Sequence, residues 1–356
     1  MLWPRTDLCD LLDIEPPILQ APMAGSTTPA LVAAVSNAGG LGGHGCATLG
    51  PDAFRDHVGQ IRAASNRPFH VNFFNHDAPP EDGQAGPRMR AALQTLWDEA
   101  ELGQMPAAEN PWPLFTEERL AALLEMSPQV VSFHFGLPDE ATVNAVKGAG
   151  CVLLCSATSV AEAIELERRG VDAVIAQGFE AGGHRGTFIG DVMGGTVPTM
   201  VLVPQIASAV TIPVIAAGGI MDGRGIAAAL ALGASGVQLG TAFLTCPEAS
   251  VSPAHHAALM AAAGNEMRTL VTKGVSGRPA RGLANRLLKD VVALEDEAAP
   301  FPMQNVLTRP LSATGQAELA VMWAGAGAAA SRGLAAAELM AQLVDETGAA
   351  LAALRT

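Results

Sequence analysis

Four polar side chains lie near the carboxyl ends of apolar segments that are predicted to be β-strands. They are Asn72, His134, Gln177 and Gln238. Side chains alternate across a strand, and the residues beside these four are mostly apolar ones that would pack against helices, so the four polar groups face the opposite way. A strand that only packed would carry Val, Ile or Leu at such positions. The four residues therefore predict one shared ligand site.

A further candidate, His184, lies in the glycine-rich segment 182-GGHRG-186 directly after one of these strands. The flanking glycines would let the loop bring an imidazole close to a flat ligand. The neighbouring Arg185 is expected to disfavour the imidazolium form and to keep the ring ready to accept a proton. The segment predicts a general base, with local hydrogen bonding of a loop histidine as the alternative. His44, in 42-GGHG-45, is another candidate of the same kind.

Two turns that contain glycine follow the last two predicted strands. Gly218 and Gly219 follow one strand, and Gly240 and Thr241 follow the other. Without a Cβ atom, backbone N–H groups can approach an anion closely, and a helix predicted over 222–233 would point its positive end nearby. The turns therefore predict a site for the phosphate of a cofactor. Neither a Walker A sequence nor a GxGxxG sequence after the first strand is present.

Eight short apolar segments are predicted to be the strands that position these residues. They span 18–23, 40–45, 69–74, 130–136, 151–157, 173–178, 213–219 and 236–243. Most intervals between them hold a helix-like stretch, such as 159–170. Apolar strands that alternate with helices are typical of a parallel sheet covered by helices. Eight such units predict an α/β fold, a (β/α)8 TIM barrel, in which the loops after strands 7 and 8 commonly bind phosphate.

The chain of 356 residues is longer than the roughly 250 residues that one barrel needs. Residues 1–75 and 112–249 are predicted to form the barrel. Residues 76–111 and 250–356 are predicted to form a smaller, mainly helical cap, from which part of the C-terminal region can return to the barrel. Segment 179–195 is predicted to be a loop without secondary structure. Further helices are predicted at 87–102, 197–209, 253–264, 313–329 and 332–353.

The composition indicates a well-buried globular enzyme, since 49% of the residues are hydrophobic and 16% are charged. The net charge of −14 argues against nucleic acid or an anionic membrane as partner. No apolar run is a convincing membrane span. Five cysteines without zinc-like clustering predict a cytoplasmic protein and no metal site. A basic segment with Ser276, Arg278 and Arg281 is predicted either to clamp an anion or to be a solvated loop.

Six segments together resemble the nitronate monooxygenases, formerly called 2-nitropropane dioxygenases, which are FMN-dependent TIM-barrel enzymes. The resemblance is closest to the bacterial class, class I, that contains the SFHFG and GGHRG sequences. It extends from about residue 15 to residue 330, with the segments in order. They are 18-ILQAPMAG-25, 132-SFHFG-136, 177-QGFEAGGHRG-186, 215-IAAGGIMDGRG-225, 237-VQLGTAFL-244 and 322-MWAGAG-327.

The resemblance implies that His184 is the catalytic base and that His134 is a second active-site histidine near the substrate. The chain departs from the family at Ala326, where a glutamine is expected, and in containing no tyrosine, although family members often line the substrate pocket with tyrosines. The residues implied to contact FMN are Met23, Ala24, Asn72, Gln177, Gly182, Gly183, Gly218, Gly219, Gln238, Leu239, Gly240 and Thr241.

The activity implied by the resemblance is oxidation of alkyl nitronates by dioxygen to a carbonyl compound and nitrite, through single-electron transfer to FMN. A neutral His184 would extend the activity to nitroalkanes. Two alternatives remain open at this point. One is an FMN-dependent NAD(P)H oxidoreductase, similar to enoyl-ACP reductases or quinone reductases. The other is a flavin-binding barrel without catalytic activity. The protein is expected to be a monomer or a homodimer.

Overall fold

Eight parallel strands close into a barrel in the computed structural model, which describes residues 5–262 and 268–354. Each of the eight predicted segments contains one of these strands, so the prediction of a TIM barrel is confirmed. A parallel bridge between Leu19 and Leu41 joins the first strand to the second. The barrel strands are β1 Ile18–Gln20, β2 Gly42–Gly45, β3 Phe69–Phe74, β4 Val130–His134, β5 Val152–Ala157, β6 Ala173–Gln177, β8 Val214–Ala217 and β9 Gly236–Leu239.

Alternation along the strands separates two apolar layers. Val131 and Phe133 of β4 belong to the large cluster between strands and helices, whereas Val130 belongs to a smaller cluster inside the barrel. Helix α1 (Asp7–Leu12) contributes Leu8 and Leu12 to the interior cluster. Because side chains two apart share a face, residues 132 and 134 of β4 continue the inward row. The carboxyl ends of the strands are thus the place where polar inward groups collect.

Helices surround the barrel, and further helices lie between β3 and β4 and after β9. The last helix, α13 (Ala336–Ala353), packs against α9 (Gly223–Ala231) and α2 (Pro29–Asn37), so it closes the outer ring. The ring helices are α2 Pro29–Asn37, α3 Pro51–Ala64, α5 Glu117–Met126, α6 Glu140–Gly148, α7 Val160–Arg168, α8 Thr199–Ala207, α9 Gly223–Ala231 and α13 Ala336–Ala353. The remaining helices are α4 Pro87–Glu99, α10 Pro253–Ala262, α11 Arg286–Val292 and α12 Asn305–Ala313. None of the helices within residues 5–262 and 268–354 is long and apolar enough to cross a membrane.

A second apolar cluster joins α4 to α11 and α12, so the excursion between β3 and β4 packs on the C-terminal region. Beside it lies a three-stranded antiparallel sheet of β7 (Gly183–His184), β10 (Thr269–Thr272) and β11 (Ala280–Leu283). The prediction that 179–195 lacks secondary structure is therefore wrong. The two-residue strand β7 forms because β11 supplies its hydrogen-bonding partner, which a local pattern cannot reveal.

The predicted helix at 313–329 is also wrong. Helix α12 ends at Ala313, and Gly315 follows with a positive φ of 76°. The side chain of Asn285 donates hydrogen bonds to the carbonyls of residues 317 and 320, and Trp323 forms an antiparallel bridge with Gly282. Long-range contacts thus replace helical hydrogen bonds in this Ala-rich segment. The predicted helix at 253–264 is observed as α10, which spans Pro253–Ala262. Positions 263 and 264 of the prediction lie outside the residues that the structure describes.

Candidate active site

A cavity of about 380 Å³ lies at the carboxyl ends of the barrel strands. This volume is within the range of about 300–1,000 Å³ that is usual for small-molecule and cofactor sites. Of the residues predicted to contact FMN or to act in catalysis, all except Leu239 line the cavity. Those that line it are Met23, Ala24, Asn72, His134, Gln177, Gly182, Gly183, His184, Gly218, Gly219, Gln238, Gly240 and Thr241.

Leu239 and His44 lie elsewhere. The Leu239 side chain belongs to the cluster between strands and helices, as expected for the neighbour of the inward Gln238. His44 is buried, and its Nε2 atom lies 2.8 Å from Nδ1 of His57. Its Nδ1 atom lies 3.4 Å from the Thr27 hydroxyl. Because both ring nitrogens of His44 face protein groups away from the cavity, this candidate is not part of the site.

The turn after β8 requires glycine at two successive positions. Gly218 and Gly219 have φ values of 123° and 72°, which side-chain-bearing residues rarely adopt. A Cβ atom on Gly218 would lie 2.8 Å from the Thr199 hydroxyl oxygen. The turn therefore exposes bare backbone to the cavity.

Two backbone N–H groups are available at this end of the cavity. Among described residues, nothing accepts a hydrogen bond from the N–H of Gly219 or of Thr241. The predicted contribution of helix α9 is smaller than expected, because carboxylates already bind its first N–H groups. Gly223 N–H donates to Glu346 at 3.0 Å, and Gly225 N–H donates to Asp222 at 2.9 Å.

The three amide side chains differ in what they offer a ligand. The Gln238 carbonyl oxygen is buried and has no partner within the described residues, although it lines the cavity. Asn72 donates to Ser132 at 2.8 Å, and no described residue donates to its side-chain oxygen. Gln177 instead holds the loop: it donates to the His184 carbonyl at 2.9 Å and accepts from the Gly186 N–H at 2.8 Å. A buried acceptor without a donor is costly, so Gln238 indicates a ligand that donates a hydrogen bond.

His184 enters the site from β7. Its Nε2 atom lies 2.9 Å from the Ser276 hydroxyl oxygen, and no described group hydrogen-bonds its Nδ1 atom. Phe301, Trp323 and Phe74 approach its ring with centroid distances of 5.2, 5.5 and 6.0 Å. The ring is thus held on one side by a hydroxyl group and enclosed by aromatic side chains.

Burial lowers the pKa of His184 to about 3, and the nearby charges of His134 and Arg278 act in the same direction. The prediction of a neutral imidazole agrees with this shift, but the predicted cause is wrong. Arg185 points away into the loop core, where it donates to the carbonyls of Gly178 and Gly195 at 2.6 and 2.9 Å. Loss of hydration, and not the charge of Arg185, is therefore the main reason that His184 is neutral at physiological pH.

His134 has no free ring nitrogen. Its Nε2 atom donates to the carbonyl of His184 at 3.1 Å, and its Nδ1 atom lies 2.9 Å from the Ser156 hydroxyl oxygen. A carbonyl can only accept, so the hydrogen of the ring is on Nε2, and Ser156 donates to Nδ1. Burial lowers the pKa of His134 to about 4. His134 lines the cavity, but its hydrogen bonds hold the backbone of His184.

The basic segment forms neither an anion clamp nor a solvated loop. Arg281 is buried and donates to the carbonyl of Phe179 at 2.9 Å. Arg278 lies over the ring of Phe135, 4.0 Å from its centroid, and donates to the carbonyl of Thr187. Both guanidinium groups therefore stabilise loops around the cavity.

Several cavity residues are not predicted from the sequence. Phe74 and Ser156 have the inward strand positions that alternation would have identified. Trp112 reaches the cavity from the segment between α4 and α5, and Arg309 reaches it from α12; no local pattern marks either residue. Trp323 and Gly325 belong to the segment 322–327, which the resemblance includes without a role. All six line the cavity.

Comparisons with known proteins agree with this arrangement. The family model described as nitronate monooxygenase matches residues 5–346. A nitronate monooxygenase of Pseudomonas aeruginosa is 45% identical over 347 residues, which cover 94% of this chain and 97% of that protein. A nitronate monooxygenase of Paraburkholderia phytofirmans is 42% identical over 98% of this chain and 96% of its own length.

Solved structures give the same result. A nitroalkane oxidase from Streptomyces ansochromogenes has a TM-score of 0.88 and 37% identity, and the match covers 98% of this chain and 99% of that one. FabK from Thermotoga maritima has a TM-score of 0.77 and 32% identity over 99% and 98% of the two chains. On the match over nearly its whole length, the chain belongs to the nitronate monooxygenase family.

Proposed function

We propose that the protein binds FMN and uses dioxygen to oxidise alkyl nitronates to a carbonyl compound and nitrite, and that it accepts neutral nitroalkanes through His184. The observation that carries the proposal is the neutral imidazole of His184, whose Nδ1 atom has no hydrogen-bonding partner among the described residues and which lines the cavity. The same cavity presents the N–H groups of Gly219 and Thr241, for which no described residue is an acceptor. The nitronate monooxygenase and nitroalkane oxidase relatives support this choice of substrate.

The residues present fit FMN. The N–H groups of Gly219 and Thr241 suit its phosphate, since backbone donors in a glycine turn bind anions well. The unpartnered oxygen of Gln238 suits an N–H group of the flavin ring, which is the donor that this buried acceptor lacks. Met23 and Ala24, in the turn after β1, line the same space. A bound FMN supplies the redox chemistry that side chains cannot provide.

The protein residues then have three tasks. Phe74, Trp112 and Trp323 line the cavity near His184 and exclude water from the substrate. His184 takes the proton α to the nitro group when the substrate is neutral, which converts a nitroalkane into the nitronate. Gln177 and His134 both donate to the carbonyl of His184 and fix the position of this base.

The aromatic wall also bears on the substrate class. Its members near His184 are phenylalanine and tryptophan, and the chain contains no tyrosine hydroxyl. Such a wall favours an apolar alkyl substituent over one that needs a hydrogen-bond donor. We therefore expect kcat/KM for nitronates to rise with the length of a short alkyl chain.

The first test is an absorption spectrum of the purified protein, followed by aerobic addition of a small nitronate. The expected result is a flavin spectrum, released FMN after denaturation and formation of nitrite. A protein that takes up no FMN, or that binds FMN and produces no nitrite, would contradict the proposal.

The second test separates the two substrate forms. His184→Ala should reduce kcat/KM for a nitroalkane by about 10²–10⁴-fold, the usual contribution of a general base. It should retain much of the activity on a preformed nitronate. His256→Ala, which changes an exposed histidine, is the matched control and should behave like the unmodified protein. Equal losses on both substrates would remove the base assignment.

One competing function, left open by the sequence analysis, is an FMN-dependent NAD(P)H oxidoreductase. Anaerobic mixing with NADH and with NADPH distinguishes the two. We expect the flavin absorbance to persist over the time of nitronate turnover. Rapid bleaching by either nucleotide would support the reductase instead.

A further inference from the structure

We infer that Ser276 is a positioning residue that holds His184 in the tautomer protonated at Nε2, so that Nδ1 is the atom that accepts the substrate proton. This inference rests on the proposed role of His184 as the general base. It adds a residue from the cap to a site that otherwise belongs mainly to the barrel.

The hydrogen bonds around Ser276 determine the direction of each donor. The side chain is fully buried, and its Oγ atom lies 2.9 Å from His184 Nε2 and 3.0 Å from the Arg278 carbonyl oxygen. The Arg278 N–H donates to the same Oγ atom at 3.4 Å. A serine hydroxyl has one proton to donate and can accept two hydrogen bonds. The carbonyl must receive the proton, because a carbonyl cannot donate.

The opposite arrangement leaves a group unsatisfied. If Ser276 donated to a bare Nε2 atom, the Arg278 carbonyl would lose its donor, and none of the other described groups donates to it. The arrangement with hydrogen on Nε2 satisfies all three partners of the buried hydroxyl at once, which the opposite arrangement cannot do. The imidazole therefore donates to Ser276 through Nε2–H.

The consequence for the other ring nitrogen is direct. A neutral imidazole with hydrogen on Nε2 has its lone pair on Nδ1. His184 lines the cavity, and its Nδ1 atom is neither hydrogen-bonded nor among the buried unpartnered atoms of the described chain. The basic nitrogen is thus open to the substrate. The other tautomer would aim its lone pair at Ser276 and present an N–H to the cavity.

The proton transfer balances with these residues alone. Nδ1 of His184 forms a bond to the α-proton of the nitroalkane, and the electron pair of the broken C–H bond passes into the nitro group to give the nitronate. The imidazolium then carries hydrogen on both nitrogens, and Nε2–H continues to donate to Ser276. Preformed nitronates do not need this step.

The first experiment observes the tautomer directly. Protein labelled with ¹⁵N at its 8 histidines is examined by NMR at neutral pH, with His184→Gln to assign the signal. The expected spectrum shows an unprotonated Nδ1 atom and a protonated Nε2 atom for His184. The reverse pattern in the unmodified protein overturns the inference, whatever the enzymatic activity.

The second experiment removes the hydrogen bond in two ways. Ser276→Ala deletes the hydroxyl, and Ser276→Cys fills the space with a sulfur that accepts hydrogen bonds weakly. Both should lower kcat/KM for a nitroalkane by about tenfold or more, up to a limit of the 10²–10⁴-fold that the whole general base contributes. Activity on the nitronate should change much less. Ser36→Ala is the control, because Ser36 is equally buried and donates to a carbonyl at 2.8 Å away from the cavity.

The outcomes distinguish this inference from the proposed function. The decisive quantity is the ratio of kcat/KM for the nitroalkane to kcat/KM for the nitronate. If Ser276→Ala and Ser276→Cys have the same ratio as Ser36→Ala, Ser276 does not position the base. If instead the protein produces no nitrite from either substrate while the NMR signals are as expected, the proposed function fails and the tautomer assignment stands.

Discussion

Replacement of His134 tests whether this histidine transfers protons or only holds the base. Both of its ring nitrogens are engaged, by the His184 carbonyl and by the Ser156 hydroxyl. His134→Gln keeps an amide N–H that can donate where Nε2 does and removes every titratable nitrogen. We expect His134→Gln to retain most of the activity on nitroalkanes and nitronates alike.

The magnitude for His134→Ala follows from one hydrogen bond. The carbonyl of His184 keeps its second donor, Gln177, at 2.9 Å. The lost hydrogen bond is therefore worth about 0.5–1.5 kcal/mol, since the acceptor is not left unsatisfied. A change of 1.4 kcal/mol corresponds to a factor of about 10 in rate. His134→Ala should thus lower kcat/KM by about tenfold at most, where a proton-transfer role would cost 10²–10⁴-fold.

The assay compares kcat/KM for a nitroalkane and for its nitronate in His134→Ala, His134→Gln and Gln177→Leu. Gln177→Leu removes the other donor to the same carbonyl, so the double variant with His134→Ala should lose more than the two single effects combined. A selective loss of 10²-fold or more on the nitroalkane in His134→Gln would refute the holding role and make His134 an acid or base.

Two further predictions concern the cofactor turn and the acid stability. Gly218→Ala should weaken FMN binding by more than tenfold, because φ of 123° and a contact of 2.8 Å with Thr199 force the turn to move. Gly190→Ala is the control, because Gly190 has a φ of 79° and open space around it. It should lower the unfolding free energy by about 1–3 kcal/mol, as expected for backbone strain, and leave FMN affinity unchanged. Equal FMN affinities in the two variants would contradict the assignment of the phosphate site. Burial lowers the pKa of His70 from 6.5 to about 3, so the unfolded chain binds a proton that the folded chain excludes, and the unfolding free energy should fall as pH drops from 6.5 towards 3. Denaturant titrations should show that His70→Gln flattens this fall by up to about 1.4 kcal/mol per pH unit, and a slope equal to that of the unmodified protein would refute the argument.

Strand alternation explains why so much of the site could be predicted. The inward positions of Asn72, Gln177 and Gln238 follow from a period of two, which depends only on neighbouring residues. The glycine turn after β8 is equally local, because the positive φ of Gly218 and Gly219 demands glycine at the position itself. These features need no knowledge of which distant segment covers the barrel.

Roles that depend on distant partners could not be predicted. The sequence places Arg185 beside His184, yet Arg185 binds loop carbonyls and Arg278, far along the chain, acts on the ring instead. His134 has the inward position of a catalytic group, but both of its ring nitrogens are already hydrogen-bonded, one to the Ser156 hydroxyl and one to the His184 carbonyl. Position in a strand therefore predicts location, whereas hydrogen-bond direction decides chemistry.

The low pKa of His184 also limits what this base can do. An imidazolium of pKa about 3 is a strong acid, so transfer of a proton to His184 is unfavourable until a negative charge forms beside it. The nitronate supplies that charge, and in a cavity with little water the attraction between the two ions is stronger than in solution. Proton abstraction is therefore costly for a nitroalkane and absent for a nitronate. We therefore expect preformed nitronates to be better substrates than nitroalkanes, because the burial that keeps the ring neutral also makes proton abstraction more costly.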